Sequence, residues 1–238
     1  MLKKKLKQLL DHIIIKGIVR PIASSTKHKF GSDYGGWNLE TRLLDHCSMV
    51  YSFGIGDDAS FDIEIINRFG LTVHAFDPTP RSLEWVTRQC LPAKFIFHPY
   101  GIAGHDGAAR FYPPTNPQDV SFSIQHRSSS HTNAVELPVK RLSTIMSDLG
   151  HARFDVLKLD IEGAEYEVIA DLAKSAIRPS QLLIEFHHHL PGTGIGKTFQ
   201  AIRTIARMGY NAFSISDTAH EFSFRLIDTT APRFKPAL

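Results

Sequence analysis

The segment LKLDIEGAEYEVI (157–169) places acidic residues at the point where an apolar strand pattern ends. Asp160 and Glu162 follow that strand, and a glycine and a helical pattern come directly after them. Carboxylates in this position either cap the following helix or act on a charged or polar ligand. For Glu162, which has Glu165 three positions later, we favour helix capping. For Asp160 we favour a role in chemistry.

A second set of titratable residues follows the apolar segment QLLIEF (181–186). Glu185 lies at the end of this segment, and His187, His188 and His189 come directly after it. Histidine is the natural side chain to take a proton from a hydroxyl group near neutral pH. If the strand continues through the run, Glu185, His187 and His189 share one face and His188 lies on the other.

The same residues raise the alternative of a metal site. Histidines with Asp160 or Glu185 offer the nitrogen and oxygen ligands that divalent ions take. One strand seldom supplies a whole coordination sphere, however, and histidines beside a carboxylate are common on ordinary polar surfaces. We therefore expect Asp160, His187 and Glu185 to act in catalysis without a bound metal. The choice of general base between His187 and Asp160 stays open.

A glycine-containing turn, FGIGDDASFD (53–62), follows the first apolar strand. Gly54 and Gly56 permit a tight turn and a close approach of backbone to a ligand. The third glycine of a dinucleotide fingerprint is missing, which disfavours a pyrophosphate cofactor. The next strand ends at Asp77, 21 residues after Gly56, where a carboxylate can accept hydrogen bonds from the ribose of an adenosyl ligand. The alternative is that Asp77 only caps a turn.

The third strand leads into HPYGIAG (98–104), where Gly101 and Ile102 would flank an adenine. A simple turn is an equally good interpretation of this segment. The residues that we expect to contact the cofactor lie where strands end. They are Phe53, Gly54, Ile55, Gly56, Asp77, Pro78, Gly101, Ile102 and Asp160.

Short runs rich in valine, isoleucine and phenylalanine alternate with helical periods, which is typical of a parallel sheet with crossover helices. The predicted strands are 49–54, 71–77, 94–99, 155–160 and 181–186, and the predicted helices are 61–69, 81–89, 164–172 and 198–208. Residues 135–146 predict an edge strand leading into a helix. Residues 211–216 and 221–227 predict an antiparallel hairpin at the sheet edge. The fold class is therefore α/β, with a doubly wound sheet.

Four segments together resemble the FkbM family of S-adenosylmethionine-dependent methyltransferases, and within it the methyltransferase-like subgroup. The segments are FGIGDDASFD, VHAFDPTP, LKLDIEGAEYEVI and LLIEFHHH, and SDYGGW (32–37) is a further segment of that subgroup. The resemblance covers about residues 32–227. It implies the seven-stranded Rossmann-like sheet of class I methyltransferases, S-adenosyl-L-methionine as cofactor, and methylation of a hydroxyl on a sugar, a glycan or a small natural product. It also implies that Gly54, Gly56 and Asp77 bind the cofactor and that Asp160 lies near its methionine end or the acceptor.

Residues for the acceptor are harder to assign. Aromatic faces suit sugar rings, so Tyr34 and Trp37 are candidates, although both residue types are also common in cores. The insertion at 112–133 is rich in serine, proline and histidine, and it either sets acceptor specificity or forms a polar surface loop. The candidate acceptor-binding residues in full are Tyr34, Trp37, Ser121, Ser123, His189 and Lys197.

Two other function classes compete with an enzyme of this kind. PGTGIGKT (191–198) resembles a phosphate-binding P-loop, but Pro191 stands where the first glycine belongs and its missing N–H spoils the cradle. A nucleotide-binding protein is therefore the weaker alternative. The other is a non-catalytic module that binds adenosylmethionine or a partner. An open pocket beside the histidine run would favour the enzyme, and a closed, packed rim would favour the module.

Charge is unevenly distributed along the 238 residues. Six of the 27 basic residues but only one of the 24 acidic residues fall within residues 1–20, so the rest of the chain is slightly acidic. This argues against a nucleic-acid partner. We interpret residues 1–30 as a basic amphipathic helical appendage, with weak membrane-surface contact as a minor alternative, and residues 31–238 as the methyltransferase domain. Two cysteines and no membrane-spanning apolar run favour a cytoplasmic protein.

Overall fold

A computed structural model describes residues 2–113, 134–190 and 192–227, with side chains from residue 10 onward. The elements in chain order are α1 (Leu2–Ile18), β1 (Lys27–Phe30), β2 (Trp37–Glu40), β3 (Met49–Phe53), α2 (Ser60–Phe69), β4 (Thr72–Phe76), α3 (Pro80–Thr87), β5 (Phe95–His98), β6 (Gly101–Ile102), β7 (Gly107–Phe111), β8 (Val135–Lys140), α4 (Leu142–Leu149), β9 (Val156–Leu159), α5 (Glu165–Lys174), β10 (Gln181–Glu185), α6 (Ile195–Arg207), β11 (Tyr210–Ile215) and β12 (Glu221–Leu226). A short 3-10 helix spans Thr41–Leu43.

The main sheet has seven strands in the order β11-β12-β10-β9-β3-β4-β5. The five strands from β10 to β5 are parallel, and β12 runs antiparallel to both of its neighbours. Every residue of β9 is buried, as expected for a parallel strand covered on both faces. The doubly wound α/β sheet and the hairpin at its edge are confirmed. The carboxyl ends of β3, β4, β9 and β10 therefore meet at one edge of the sheet.

Helices cover both faces of this sheet and divide the core into two large clusters. On one face, α2 packs through Phe61 and Ile65 against sheet residues such as Val73. On the other face, α4, α5 and α6 contribute apolar residues such as Leu172 and Ile205. The apolar faces of the helices are thus buried against the strands. This packing holds in place the strand ends that form the site.

Residues 135–140 do form a strand, but the prediction that it is an edge strand is wrong. β8 lies in the centre of a separate three-stranded sheet, in the order β6-β8-β7. It pairs in parallel with β6 and antiparallel with β7, where Pro138 is opposite Ala108. The two partner strands escaped the sequence analysis because β6 has only two residues and β7 lacks an apolar alternation.

The chain before the main sheet forms α1 and a small antiparallel pair, β1 with β2. The predicted basic helix is therefore present, and the predicted domain boundary at residue 30 falls inside this pair of strands. Ile15 is fully buried in the larger core cluster, whereas Leu10, Ile13 and Ile18 are exposed. Within the described ranges, no helix is both long and apolar enough to cross a membrane.

Candidate functional site

A cavity of 370 Å³ opens at the carboxyl edge of the main sheet. Most of the residues predicted to contact a cofactor or an acceptor, or to act in catalysis, line it. They are Tyr34, Trp37, Phe53, Gly54, Ile55, Gly56, Asp77, Pro78, Gly101, Ile102, Asp160 and Glu185. His187, His189 and Lys197 do not line it, and Ser121 and Ser123 lie outside the described residues. Residues predicted at separate strand ends therefore meet at one cavity.

The glycine turn after β3 leaves no room for a side chain at Gly54. Its φ is +80°, in the left-handed region, and a Cβ placed there would lie 1.7 Å from the backbone oxygen of Asp160. The Gly54 N–H donates to the Phe76 carbonyl at 3.0 Å. The turn is thus packed directly against the strand ends of β4 and β9, and this holds Asp160 beside the cavity.

Lys158 also holds this turn, and the sequence analysis missed it. Its Nζ donates to the Gly54 carbonyl at 2.9 Å and to the Phe53 carbonyl at 3.4 Å, and it lies 5.8 Å from the centre of the Trp37 ring. The residue is only 5% exposed. A lysine in the middle of an apolar strand was the available signal, because a lysine is almost never fully buried without a partner.

Asp77 stabilises the same turn from the neighbouring strand. One carboxylate oxygen accepts from the N–H groups of Ile55 and Gly56 at 3.1 and 3.0 Å. The other accepts from the N–H and the hydroxyl of Thr79 at 2.9 and 2.6 Å. The turn-capping interpretation of Asp77 therefore describes this structure. A hydrogen bond to a ribose would have to replace one of these four, so that role stays a prediction.

An imidazole surrounded by carboxylates lies at the edge of the cavity. The Nε2 atom of His187 is 3.5 Å from Glu162, 3.7 Å from Glu185 and 3.9 Å from Asp160, measured to one carboxylate oxygen of each. Its Nδ1 atom is 3.4 Å from Glu165. Asp160, Glu185 and His187, the three predicted catalytic residues, therefore lie together, with two further acids around the same ring.

The electrostatics of this cluster separate the candidate bases. Burial lowers the pKa of His187, but the nearby carboxylates, led by Glu165 and followed by Glu162 and Glu185, outweigh it and raise this pKa to about 10. Burial, and then the charge of Asp160, raise the pKa of Glu185 to about 9. His187 therefore holds its proton at neutral pH and is a poor base there. Asp160, with 33% of its side chain exposed, is the better placed acceptor of a proton.

Glu165 holds the backbone of His187 and of Gly163 in place. It is fully buried, and its two oxygens accept from the N–H groups of His187 at 2.7 Å and Gly163 at 2.8 Å. The helix-capping interpretation of Glu162 is wrong, because the residue that caps α5 is Ala164, without a side-chain hydrogen bond. Glu162 instead has a left-handed backbone, with φ of 49°, and lines the cavity.

The remaining candidate acceptor residues differ in position. Tyr34 is 80% exposed at the cavity, whereas Trp37 is 4% exposed and belongs to a core cluster as well. β10 ends at Glu185, so the histidine run forms a turn rather than a continued strand, and His189 stacks on His220 at 5.1 Å between ring centres. Lys197 is exposed in the first turn of α6, away from the cavity. The cavity itself offers no support to a P-loop interpretation.

Comparison with known proteins adds a family match. A model of the methyltransferase FkbM domain matches residues 43–212. The human and rat proteins named probable methyltransferase-like protein 24 are 27% and 28% identical over 205 and 195 residues, which is 85% and 79% of this chain. These matches cover 48% and 45% of the relatives, so the chain spans about half the length of the curated relatives it matches.

Two solved structures also align with this chain. An FkbM methyltransferase from Methylobacillus flagellatus aligns with 12% identity and a TM-score of 0.49, over 90% of this chain and 50% of that one. Fibrillarin from Aeropyrum pernix, solved with bound S-adenosyl-L-methionine, aligns with 11% identity and a TM-score of 0.43, over 87% of this chain and 85% of that one.

Proposed function

The chain belongs to the FkbM methyltransferase family, and on that basis we propose that it transfers a methyl group from S-adenosyl-L-methionine to a hydroxyl group of an acceptor. The resemblance carried by the four sequence segments is thereby confirmed at the level of the family. The observation that carries the proposal is the cavity at the sheet edge, where the glycine turn and the carboxylates around Asp160 face one space.

The residues around the cavity fit the proposed cofactor. Gly54 lets the turn pack directly against the backbone of Asp160, so the turn and Asp160 lie on one wall of the cavity. When bound, the cofactor supplies a methyl group on a positively charged sulfonium. Acidic residues dominate the titratable lining, and they favour a cation in the cavity. They are Asp33, Asp57, Asp58, Asp77, Asp160, Glu162, Glu185 and Glu221, with Lys158 as the basic member.

We assign Asp160 as the base that takes the proton from the acceptor hydroxyl. Methyl transfer from a sulfonium is an in-line displacement, so positioning supplies much of the rate, and the hydroxyl must also lose its proton. Asp160 is half-buried and lines the cavity, whereas His187 is 2% exposed and already protonated. His187 and Glu165 then serve to hold the acidic cluster in place.

The proposal also includes the chemical class of the acceptor. Tyr34 presents an exposed aromatic ring at the cavity, and the buried Trp37 ring lies near the same space. Flat aromatic faces pack well against the apolar face of a sugar ring. A sugar or glycan hydroxyl, or a similar hydroxyl of a small natural product, is therefore the acceptor that we propose.

An open cavity beside the acidic cluster favours the enzyme over a non-catalytic binding module, because the module would need no space for an acceptor. The test is a methyl-transfer assay that follows formation of S-adenosylhomocysteine with a panel of sugars, oligosaccharides and hydroxylated natural products. Turnover with one class of acceptor, absent from the Asp160→Asn variant, supports the proposal. Cofactor binding without turnover on any acceptor of the panel would favour the binding module.

A further inference from the structure

We propose that Asp160, Glu185 and His187 bind a divalent first-row metal ion, for which Mn²⁺ serves as the probe. The inference goes beyond the proposed function: the ion's effect on methyl transfer rests on that function, but its binding does not. It also differs from the sequence-based expectation of a site without metal.

The distances around His187 suit ligands of one ion better than they suit hydrogen bonds. One ligand atom from each of the three residues lies within 4.8 Å of the others. The His187 Nε2 atom is 3.7 Å from Glu185 and 3.9 Å from Asp160, beyond the roughly 2.7–3.2 Å of a normal hydrogen bond. Two ligand atoms that each lie about 2.1 Å from a common ion are roughly 3.0–4.2 Å apart. The two contacts of Nε2 fall in that interval.

The burial of His187 is a second observation that points to a ligand. The residue is 2% exposed, and among the residues that the structure describes its Nδ1 atom has no hydrogen-bond partner. Nδ1 nevertheless faces Glu165 at 3.4 Å, and Glu165 is itself held by two backbone N–H groups. A carboxylate behind a histidine is the usual arrangement around metal-bound imidazoles, because it orients the ring and raises its basicity.

Within the part of the chain that the structure describes, the acidic groups around the ring outnumber the basic ones. Four carboxylates, from Asp160, Glu162, Glu165 and Glu185, lie within 4 Å of one imidazole. His187 supplies at most one positive charge, and binding an ion through its Nε2 atom releases the proton on that atom. The buried lysine of the cavity does not supply a second positive charge here, because Lys158 donates to the backbone of the glycine turn. Mixed imidazole and carboxylate ligands suit Mn²⁺, Fe²⁺ or Zn²⁺ better than a purely oxygen-seeking ion.

The position of the cluster gives the ion a role in the reaction. Asp160 and Glu185 line the cavity while His187 lies beneath it, so the open coordination positions would face the acceptor. A hydroxyl oxygen bound there would lose its proton to water more readily, because the ion lowers its pKa. The oxygen–methyl bond then forms as the sulfur–methyl bond breaks, and the sulfonium becomes a neutral thioether. Asp160 would in that case hold the ion that acidifies the hydroxyl.

The experiment is a titration of chelator-treated full-length protein with MnCl₂, followed by calorimetry and by the loss of the free Mn²⁺ signal in electron paramagnetic resonance. We expect one ion per chain. Asp160→Asn and Glu185→Gln should each weaken binding about 100-fold or more, and Glu165→Gln about 10–100-fold. Glu84→Gln removes an exposed carboxylate on α3 that is outside both the cavity lining and the ligand set, and it should change the affinity less than about threefold.

Absence of Mn²⁺ binding at millimolar concentration by folded protein, checked by circular dichroism, would overturn the proposal. Binding that Asp160→Asn and Glu185→Gln leave intact would overturn it too, because the ion would then lie elsewhere. Parallel titrations with S-adenosyl-L-methionine in EDTA separate the two hypotheses. Cofactor binding without Mn²⁺ binding removes the metal site alone, and Mn²⁺ binding without cofactor binding or methyl transfer removes the proposed function alone.

Discussion

The backbone of the glycine turn at Gly54 packs directly against the backbone of Asp160, at the end of β9, with no side chain between them. An alanine there would combine an unfavourable left-handed φ, costing about 1–2 kcal/mol, with overpacking against the Asp160 carbonyl, costing about 1–3 kcal/mol. We expect Gly54→Ala to lower the free energy of unfolding by about 3 kcal/mol in urea denaturation.

Gly196 provides the matched control for that substitution. It lies in α6, and a Cβ placed there would meet no atom within 4 Å. Gly196→Ala should leave the protein as stable or up to about 1 kcal/mol more stable, because alanine favours a helix. Equal effects of the two substitutions would show that the turn is not packed as described.

Asp160 carries the second prediction at this scale. Asp160→Asn keeps the shape of the side chain but removes the charge that assists loss of the hydroxyl proton. Turnover should fall about 10²–10⁴-fold, as is usual for loss of a general base. Affinity for S-adenosyl-L-methionine, measured by calorimetry, should change less than about threefold. A comparable loss of both quantities would indicate that Asp160 binds the cofactor or holds the fold, and would contradict its role as the base.

The sequence placed single residues at the correct strand ends, but it did not predict which groups they contact. Gly54, Asp77 and Asp160 were placed at the cavity because strand ends can be read from apolar runs. The partners of Asp77 and the burial of Glu165 could not be predicted, since each depends on contacts between distant segments. Local patterns do not encode such contacts.

At the scale of elements, β4 and β5 bring together two histidines on one face of the sheet. His74 Nδ1 lies 2.9 Å from His98 Nε2, and Tyr51 Oη lies 2.6 Å from His151 Nδ1 beside them. Burial, and then the charges of His151 and His98, lower the pKa of His74 to about 4. The folded protein therefore keeps His74 neutral, while the unfolded chain binds a proton below about pH 6.5.

The pair should make the fold sensitive to acid. Between about pH 6.5 and 4 the unfolded state binds more protons than the folded state, so the free energy of unfolding falls as the pH falls and the stability is fully present above 6.5. His74→Gln should reduce this fall in urea denaturation from pH 7 to pH 5. His46→Gln, at an exposed position, is the control. An identical pH dependence in wild type and His74→Gln would contradict the assignment.

Elements with a strong apolar period were predicted correctly, and short polar ones were not. The strands of the parallel sheet lie within one or two residues of their predicted bounds, since burial on both faces demands continuous apolar runs. β1 is KHKF, with three of its four residues exposed, and no sequence period distinguishes it from a loop. Its structure depends on pairing with β2, which is a tertiary contact.

At the scale of the whole molecule, a buried ion pair joins the small antiparallel pair of β1 and β2 to the main sheet. Arg225 of β12 donates to Glu40 of β2 at 2.5 Å, and Glu40 is fully buried. Burial raises the pKa of Glu40, but the hydrogen bonds and charges around it, led by Arg225, bring it below its usual value. Arg225→Ala would leave a buried carboxylate without its main partner and should cost about 3–5 kcal/mol of unfolding free energy.

Arg42 supplies the comparison for this pair. It lies 3.6 Å from the same carboxylate, but 57% of its side chain is exposed. Arg42→Ala should cost at most about 1 kcal/mol, as is typical of an exposed ion pair. Equal losses from the two arginine variants in urea denaturation would mean that Arg225 does not hold the pair of β1 and β2 to the sheet.

The most direct test of the central claim is calorimetric titration of the full-length protein with S-adenosyl-L-methionine, with ATP as the competing nucleotide. We expect one cofactor molecule to bind with an affinity on the order of micromolar, and ATP to bind much more weakly. Folded protein that gives no heat and no thermal shift with millimolar S-adenosyl-L-methionine would contradict the account. The cavity at the sheet edge would then need a different ligand.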